Sequence, residues 1–150
     1  MNRYTTEPGA QARSRGVTLL ELMAVVVIVG ILGTIAVNSY RGYLLRTNRT
    51  EARMALLQIQ ANQEKFFLQN NRYADTAELS LATTADPPGL GVAATTPSGL
   101  YTIALDADTT TTYTATATAT GGQLKDAAAC LTLRINQNGE REPAGNECWR

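Results

Sequence analysis

Few residues of this chain have the types and spacing that a catalytic or metal-binding site requires. Its 150 residues include no histidine, which excludes Ser-His-Asp and Cys-His nucleophilic sites and every zinc site that uses histidine. The two cysteines, Cys130 and Cys148, are too few for an all-thiolate tetrahedral metal site. We therefore expect no catalytic residues, no cofactor and no metal, in a protein that is not an enzyme.

The cysteines are better suited to bonding with each other. Cys130 and Cys148 are an even pair near the C-terminus of a small polar region, which favours a disulfide in an oxidising compartment. A bridge across the 17 residues between them would stabilise the fold by about 3 kcal/mol in the chain-entropy model. A pair of reduced, buried thiols is the alternative. The disulfide interpretation predicts that the C-terminal region faces outward.

One carboxylate lies within an apolar run. Glu21 is the only ionisable residue among the 21 residues from Val17 to Val37, which are mostly Val, Ile, Leu, Met and Ala. A helix of this length rises about 31 Å, close to the hydrocarbon thickness of a bilayer. The run therefore predicts a membrane span rather than a buried core helix or a secretory signal peptide. A carboxylate there is unfavourable by about 2.5 to 3.5 kcal/mol unless it finds a partner; the alternative is a lone glutamate near the membrane interface.

The apolar run divides the chain into three parts. Residues 1–16 carry three arginines against one glutamate and lack any packing pattern, so we expect a basic leader that is disordered or removed. Residues 17–37 are the predicted membrane helix. Residues 38–150 are expected to contain an amphipathic helix and a small globular domain.

The helix is expected to continue to about Asn70, because residues 39–70 contain no proline and only one glycine, Gly42. One of its faces is predicted to be apolar and to pack on the rest of the domain, and the other to be polar. The apolar face consists of Met54, Leu57, Ala61 and Leu68, widened by Ala55, Leu56, Ile59, Phe66 and Phe67, and the polar face of Arg53, Gln60, Gln63 and Glu64.

A turn-rich connection, Arg72–Gly99, leads into four predicted strands. Leu100–Leu105 and Cys130–Ile135 have strand composition, and Asn136–Gly139 is a hairpin signal before a short fourth strand. Between them, Tyr113–Thr120 alternates with period two, which places its tyrosine and alanines toward the helix and its threonines in water; a flexible or glycosylated threonine tract is the alternative. The fold class is therefore α+β, a long N-terminal helix packed on a small antiparallel sheet.

The residues around Glu21 resemble a known processing signal. Gly16-Val17-Thr18-Leu19-Leu20-Glu21-Leu22-Met23 is similar to the class III signal of type IV pilins and related pseudopilins. In that family a prepilin peptidase cuts the leader after the glycine and methylates the new N-terminus, which here implies a cut between Gly16 and Val17. The resemblance also implies the pilin fold, with Cys130 and Cys148 closing the C-terminal loop, and is strongest to PilE-type minor pilins of type IVa pili.

Two positions depart from the family's pattern. Val17 stands where the family usually has Phe, and Asn38 stands where many major pilins have Pro. The missing proline removes one expected kink. Gly30 and Gly33 can supply that flexibility instead, or allow close helix packing as small residues.

The resemblance implies a structural subunit that begins as a single-pass protein of the bacterial inner membrane, with a periplasmic C-terminal domain, and ends in an extracellular pilus. Its implied partners are other pilin subunits, the prepilin peptidase, the inner-membrane assembly machinery and lipid. The cut would free an α-amine at Val17, with a reference pKa of about 8. Glu21 of one subunit would neutralise the amine of its neighbour and so select the axial register. The alternatives are a pseudopilin of a type II secretion system and a single-pass envelope binding module.

The remaining charged groups are interpreted as structural. Thirteen basic residues are balanced by thirteen acidic ones, which disfavours a nucleic-acid partner bound by charge alone. Arg46, Arg49 and Arg53 share a helical stripe that we interpret as a solvated face or a filament contact. Asp106-Ala107-Asp108 lacks the glycine and glutamate of a calcium loop and is predicted to be a turn.

Overall fold

A computed structural model describes residues 17–86, 88–109, 111–145 and 147–150 of the chain, without the side chains of Asn38, Asp108 and Thr109. The predicted leader, residues 1–16 with the cut site at Gly16, lies outside these residues. By internal contacts the chain forms two compact units, one up to Asn38 and the other Ser39–Arg150. We call the second unit the head.

Helix α1 spans Leu19–Asn70, as expected from the lack of proline. The residue after it, Asn71, stops the helix: its φ of 54° is left-handed and its N–H donates to the Phe67 carbonyl at 2.8 Å. Asparagine tolerates this conformation better than most residues and commonly terminates helices in this way. By length and composition, α1 includes a segment apolar enough to cross a membrane.

Four antiparallel strands follow in the order β1-β2-β3-β4, which confirms the predicted α+β fold. Their bounds are Tyr101–Thr109 for β1, Thr112–Ala119 for β2, Thr132–Asn136 for β3 and Arg141–Glu142 for β4. The central register pairs Ile103 with Ala117 and Ala117 with Leu133. The alternation predicted for β2 is confirmed, because its tyrosine and alanines are buried while its threonines are exposed or half-buried.

The predicted element bounds need two corrections. Cys130 does not begin a strand but closes a 3-10 turn, Ala128–Cys130. Asp106 does not lie in a turn, since β1 continues through it and pairs it with Thr114 before a register shift. The turn there starts later than the sequence indicated because the Asp106 side chain is exposed and does not interrupt the ladder.

The core of the head lies between the sheet and one face of α1, and this face is only partly the predicted one. Met54, Leu57 and Leu68 are 65%, 42% and 86% exposed, and Ala61 is also exposed. Gln63, predicted to face water, is fully buried. Leu56, Ile59 and Phe66, which the prediction included, do reach the core, together with Ala52.

Gln63 is buried without loss of hydrogen bonding. Its Nε2 donates to the Ala74 carbonyl at 2.8 Å, and its Oε1 accepts from the Ala74 N–H at 2.8 Å. A buried amide with both ends paired avoids the desolvation penalty of an unsatisfied polar group. This pair fixes the start of the connection between α1 and β1 against the helix.

That connection folds back on itself around Gly89. A 3-10 turn, Thr76–Glu78, is capped by Asp75, whose Oδ1 accepts from the Ala77 N–H at 2.8 Å. The Leu90 N–H then donates to the Glu78 carbonyl at 2.9 Å and the Gly91 N–H to the Leu81 carbonyl at 2.7 Å. A Cβ on Gly89 would lie 2.4 Å from the Glu78 oxygen, so only glycine allows the two passes of backbone to approach this closely.

Candidate functional site

The first turn of α1 holds the predicted assembly residue, Glu21. Its backbone N–H donates to Thr18 Oγ1 at 3.2 Å, and the Leu22 N–H donates to the Thr18 carbonyl at 3.1 Å. Thr18 is therefore the N-cap, which satisfies donors that the helix itself leaves free. This cap was not predicted, although Thr18 and Glu21 have the spacing of a capping box.

Glu21 also lies where a helix favours a negative charge. It is an acidic residue in the first turn, close to the positive end of the helix macrodipole. Val17 immediately precedes this turn and is 70% exposed. Since Gly16 lies outside the described residues, the pairing of Glu21 with a freed Val17 amine stays a prediction.

The apolar segment, Val17–Val37, has no core of its own. Each of its residues is exposed, and even Val37, the least exposed of its large apolar side chains, is 51% exposed. A Cβ at Gly30 or Gly33 would meet no described atom within 4 Å. Any close packing that requires these glycines therefore involves another molecule, because a helix that is apolar all round needs lipid or protein around it.

Cys130 and Cys148 are joined in a disulfide, with a Cα–Cα distance of 5.3 Å. Both are buried, and the loop that they close contains β3, the hairpin and β4. Trp149 adds a second link, since its Nε1 donates to the Glu142 carbonyl of β4 at 3.0 Å. The Arg141 guanidinium lies 5.3 Å from the Trp149 ring centroid, which suits a cation–π contact.

A polar cluster fastens the segment after β2 to α1. Arg49 binds Asp126 with two hydrogen bonds, one of them from Nε to Oδ2 at 2.6 Å. Gln123 Nε2 donates to the Leu45 carbonyl at 3.0 Å and to Asp126 Oδ2 at 2.9 Å, and Asn48 Nδ2 donates to Gln123 Oε1 at 3.1 Å. All these groups are paired, so the cluster is structural.

Asp126 is ionised in this setting. Burial raises its pKa, but hydrogen bonds from Arg49 and the Ala127 N–H outweigh burial, and the net pKa lies below the usual value. A bidentate arginine is the partner that best repays desolvation of a carboxylate.

The interpretation of the arginine stripe is wrong for Arg49. Its side chain is only 9% exposed and is engaged by Asp126, so it belongs to the head interior. Arg53 is half-buried and donates to the Arg150 carbonyl and to Thr50 Oγ1. Arg46 is exposed, as predicted, and lines a depression of about 190 Å³ with Arg49, Glu147 and Arg150.

The solvent face of the sheet is polar rather than apolar. A depression of about 390 Å³ there is lined by Asp106, Arg134, Asn136, Glu140 and Glu142, among other residues. Arg134 and Glu142 form an exposed ion pair at 3.5 Å. Within the part of the chain that the structure describes, no cluster of three His, Cys, Asp or Glu residues could hold a metal ion.

Comparison with protein families gives two matches that together cover most of the chain. A family described as "Type IV minor pilin ComP, DNA uptake sequence receptor" matches residues 38–134. The prokaryotic N-terminal methylation motif matches residues 11–37, a range that includes Gly16, Val17 and Glu21.

Curated relatives come from two systems. The type IV major pilin protein PilA of Myxococcus xanthus is 42% identical over 65 residues, which is 43% of this chain and 30% of PilA. Type II secretion system core protein G of Pectobacterium carotovorum is 35% identical over 66 residues, or 44% of this chain and 42% of that protein. The same core protein of Klebsiella pneumoniae is 31% identical over 96 residues, or 64% and 69%. The chain thus spans less than half the length of the first two.

A solved structure supports the fold. A type IV pilin from Shewanella oneidensis superposes with a TM-score of 0.51 at 23% identity, covering 71% of this chain and 98% of that one. At this identity the likeness concerns architecture alone, namely the long helix and the antiparallel sheet.

Proposed function

This chain belongs to the type IV pilin family, and on that premise we propose that it is a structural subunit of a type IV pilus, in the class of minor pilins. The observation that carries the proposal is that the whole apolar segment, Val17–Val37, is exposed. The residues of α1 that pack in a core all belong to the head. An apolar surface of this length is stable only against lipid or other subunits.

The proposed route starts in the inner membrane. The leader, residues 1–16, is cut between Gly16 and Val17 by the prepilin peptidase, and the new N-terminus is methylated. The match to the N-terminal methylation motif supports this step. The head lies in the periplasm, an oxidising compartment in which a disulfide such as Cys130–Cys148 persists. The assembly machinery of the inner membrane then moves the subunit from lipid into the filament.

Glu21 is the proposed register residue of assembly. In the filament its carboxylate pairs with the α-amine of Val17 on a neighbouring subunit, a cation at neutral pH because methylation preserves its charge. Two charges removed from water attract strongly only at close range. A neighbour shifted along the axis would leave both charges unpaired, so the pair selects one offset between subunits.

A pseudopilin of a type II secretion system is the nearest alternative, supported by the core protein G relatives. Both kinds of subunit are expected to be cut at Gly16. They differ in destination, because a pilin is recovered in filaments sheared from the cell surface. A single-pass envelope binding module differs from both, since it predicts neither the cut nor a filament.

The test is to determine the N-terminus of the protein in sheared surface filaments by sequencing and intact-mass measurement. We expect a chain that begins at N-methylated Val17. A chain cut at the same bond but found only in membranes would favour the pseudopilin, and a chain that still begins at Met1 would contradict both assignments.

A second candidate function is DNA binding by the head. The matched family is described as a DNA uptake sequence receptor. The supporting observation in this chain is the depression lined by Arg46 and Arg150, since exposed arginines are suited to phosphate contacts. Zero net charge limits the contribution of non-specific attraction.

The DNA test is a mobility-shift titration of duplex DNA with the full chain at two salt concentrations. Arg46→Gln combined with Arg150→Gln should weaken binding, whereas Arg134→Gln, which lines the other depression, should not. Equal effects of the two changes would assign the binding to charge in general rather than to this depression.

A further inference from the structure

The hairpin between β3 and β4 contains two residues that can react with each other. The chain has a single Asn-Gly step, Asn138-Gly139, and this step lies at the tip of the hairpin, where Asn138 is exposed. Gly139 has a left-handed φ of 75°, a conformation for which Asn-Gly is favoured in tight turns. Because glycine has no Cβ, no side chain shields the Gly139 nitrogen from the side chain of the preceding residue.

The Asn138 side chain is also free. Within the described part of the chain it takes part in no hydrogen bond. Asn71 is likewise exposed and free, but Arg72 follows it and places a Cβ next to the main-chain nitrogen. The other asparagine side chains that the structure describes each donate a hydrogen bond, namely Asn48, Asn62, Asn70 and Asn136. Among these residues, only Asn138 therefore combines a free amide with a following glycine.

Asn136 holds the tip of the hairpin in place. Its Oδ1 accepts hydrogen bonds from the N–H groups of Asn138 and Glu140, each at 3.0 Å. The Gly139 N–H donates to the Asn136 main-chain carbonyl at 2.9 Å, so the Gly139 nitrogen is available to the Asn138 side chain only when the tip opens. Exposed turns open locally at a much smaller cost in free energy than the core of a domain.

We propose that Asn138 is a site of spontaneous deamidation, at which the Gly139 nitrogen attacks Cγ of the Asn138 side chain. The Gly139 N–H loses its proton to water or hydroxide, a bond forms between the nitrogen and Cγ, and the bond from Cγ to Nδ2 breaks. Nδ2 leaves as ammonia, and the two residues are left joined in a five-membered succinimide ring. The oxidation state of every atom is unchanged, so the step requires no oxidant or reductant.

Water then opens the ring in one of two ways. Hydrolysis of the bond between the Gly139 nitrogen and Cγ gives aspartate at position 138 in the original main chain. Hydrolysis of the bond between the same nitrogen and the main-chain carbonyl carbon gives isoaspartate, in which the main chain runs through Cβ and Cγ. In both cases an amide and water have become a carboxylate and ammonium, so the tip gains one negative charge.

The isoaspartate product does not fit the tip as it is folded. Gly139 lies close to α1, because a Cβ there would be 3.1 Å from Gln60 Nε2. Isoaspartate lengthens the main chain before Gly139 by one carbon, which moves Gly139 away from Gln60 or from its hydrogen bond with Asn136. The new carboxylate also lies two residues from Glu140 in the sequence. We therefore expect the modified tip to open more often than the original one.

The first experiment follows the full chain in detergent at mildly alkaline pH, where a main-chain N–H loses its proton more readily. Samples taken over time are digested, and each asparagine-containing peptide is examined by mass spectrometry for a gain of one mass unit. We expect Asn138 to convert to both aspartate and isoaspartate at least about tenfold faster than Asn71, which is exposed and free but is not followed by glycine. Equal rates at the two positions, or no conversion at Asn138, would overturn the proposal.

Two variants test the chemistry at the tip, with disulfide formation as the check that each head has folded. Asn138→Gln keeps an amide but would have to close a six-membered ring, so we expect no conversion at this position over the same period. Asn136→Ala removes the two side-chain hydrogen bonds that hold the tip and should speed the conversion of Asn138 about fivefold or more, with Asn71 unchanged. If Asn138→Gln converts as fast as the unchanged chain, or Asn136→Ala no faster, attack by the Gly139 nitrogen in an opened tip is wrong.

A third measurement tests the consequence for the hairpin. Asn138→Asp carries the charge of the product without the longer main chain, so it is the matched control for aged chain enriched in isoaspartate. Limited proteolysis should cleave the isoaspartate form at the tip severalfold faster than Asn138→Asp, and equal cleavage would overturn the expected opening. These measurements concern the head alone, so their failure is distinct from a failure of the chain to enter filaments.

Discussion

Glu21 combines a local and an assembly role at a single residue. Locally, it follows the Thr18 cap and lies at the favourable end of the helix macrodipole. In assembly, its charge is proposed to pair with the Val17 amine of a neighbour. The two roles can be separated, because glutamine keeps the shape and helix preference of glutamate without its charge.

We predict that Glu21→Gln and Glu21→Ala leave the head folded and reduce incorporation into filaments about tenfold or more, since each leaves the partner amine unpaired in an apolar environment. The measurement is the ratio of filament to membrane protein, with disulfide formation as the check on folding. Normal incorporation of the Gln variant would show that the charge is not needed.

The Arg49–Asp126 pair is the strongest candidate for a single side-chain interaction that stabilises the head. Asp126→Ala leaves the nearly buried Arg49 without its partner, so we predict a loss of about 3 kcal/mol in the free energy of unfolding. Glu142→Ala, which breaks the exposed pair with Arg134, should lose less than about 1 kcal/mol. Urea denaturation of the full chain in detergent measures both.

The same pair predicts how stability depends on acid. The pKa of Asp126 is lowered in the folded head, and so is that of Glu78, chiefly by its hydrogen bond from Arg72. The two carboxylates therefore contribute fully to the free energy of unfolding above their unfolded-state pKa values of about 4. This contribution is lost as the pH falls from there through the lower pKa values of the folded head. Asp126→Asn should make the free energy of unfolding fall less steeply as the pH is lowered through this range. An unchanged pH dependence would contradict the assignment of this loss to Asp126.

Gln63 and Arg49 show why residue-level environments were only partly predictable. Periodicity placed both on a solvated side of the helix, yet their partners, Ala74 and Asp126, lie 11 and 77 residues away in the sequence. A polar residue is buried when such a partner satisfies it. That partner lies outside the helix, so the sequence of the helix alone does not predict it.

At the scale of elements, the existence of α1 and of all four strands followed from local rules. The absence of proline extended the helix to Asn70, and the Ala/Thr alternation fixed the faces of β2. The buried face of α1 could not be chosen in this way, because both sides of the helix are apolar and the period of 3.6 residues fits either. The choice depends on which side the sheet occupies.

The connection between α1 and β1 depends on Gly89. A Cβ there would lie 2.4 Å from both the Glu78 oxygen and the Leu81 Cβ, and the backbone cannot move away without breaking the hydrogen bonds of Leu90 and Gly91. We predict that Gly89→Ala lowers the free energy of unfolding by about 3 kcal/mol.

Gly122→Ala is the matched control for this change. A Cβ at Gly122 meets no described atom within 4 Å, and the expected effect is within about 0.5 kcal/mol. Equal urea midpoints for the two alanine variants would mean that the connection relaxes around the added methyl group.

At the scale of the whole molecule, the two units are stabilised in different ways. The head has its own core and a disulfide, whereas the apolar segment has only exposed side chains. Substitutions in Val17–Val37 should therefore alter membrane residence and assembly and leave head stability unchanged, because none of these residues belongs to the core of the head.

The disulfide provides a head-specific prediction. Cys130→Ser combined with Cys148→Ser should lower the free energy of unfolding of the head by about 3 kcal/mol, measured by urea denaturation against the oxidised chain. If the reduced and oxidised heads unfold at the same urea concentration, the core between α1 and the sheet alone determines stability.

The disulfide-closed loop that contains β3 and β4 also determines how a proteolytically cleaved subunit behaves on a gel. Asn138 is exposed at the tip of the hairpin, where a protease could cleave the chain once. Because one cysteine lies on each side of that bond, the fragments would stay together and run as one band on a gel without reductant. Only after reduction would the 12-residue piece 139–150 be released, so nicked protein in a purified sample stays hidden until the sulfur bridge is opened.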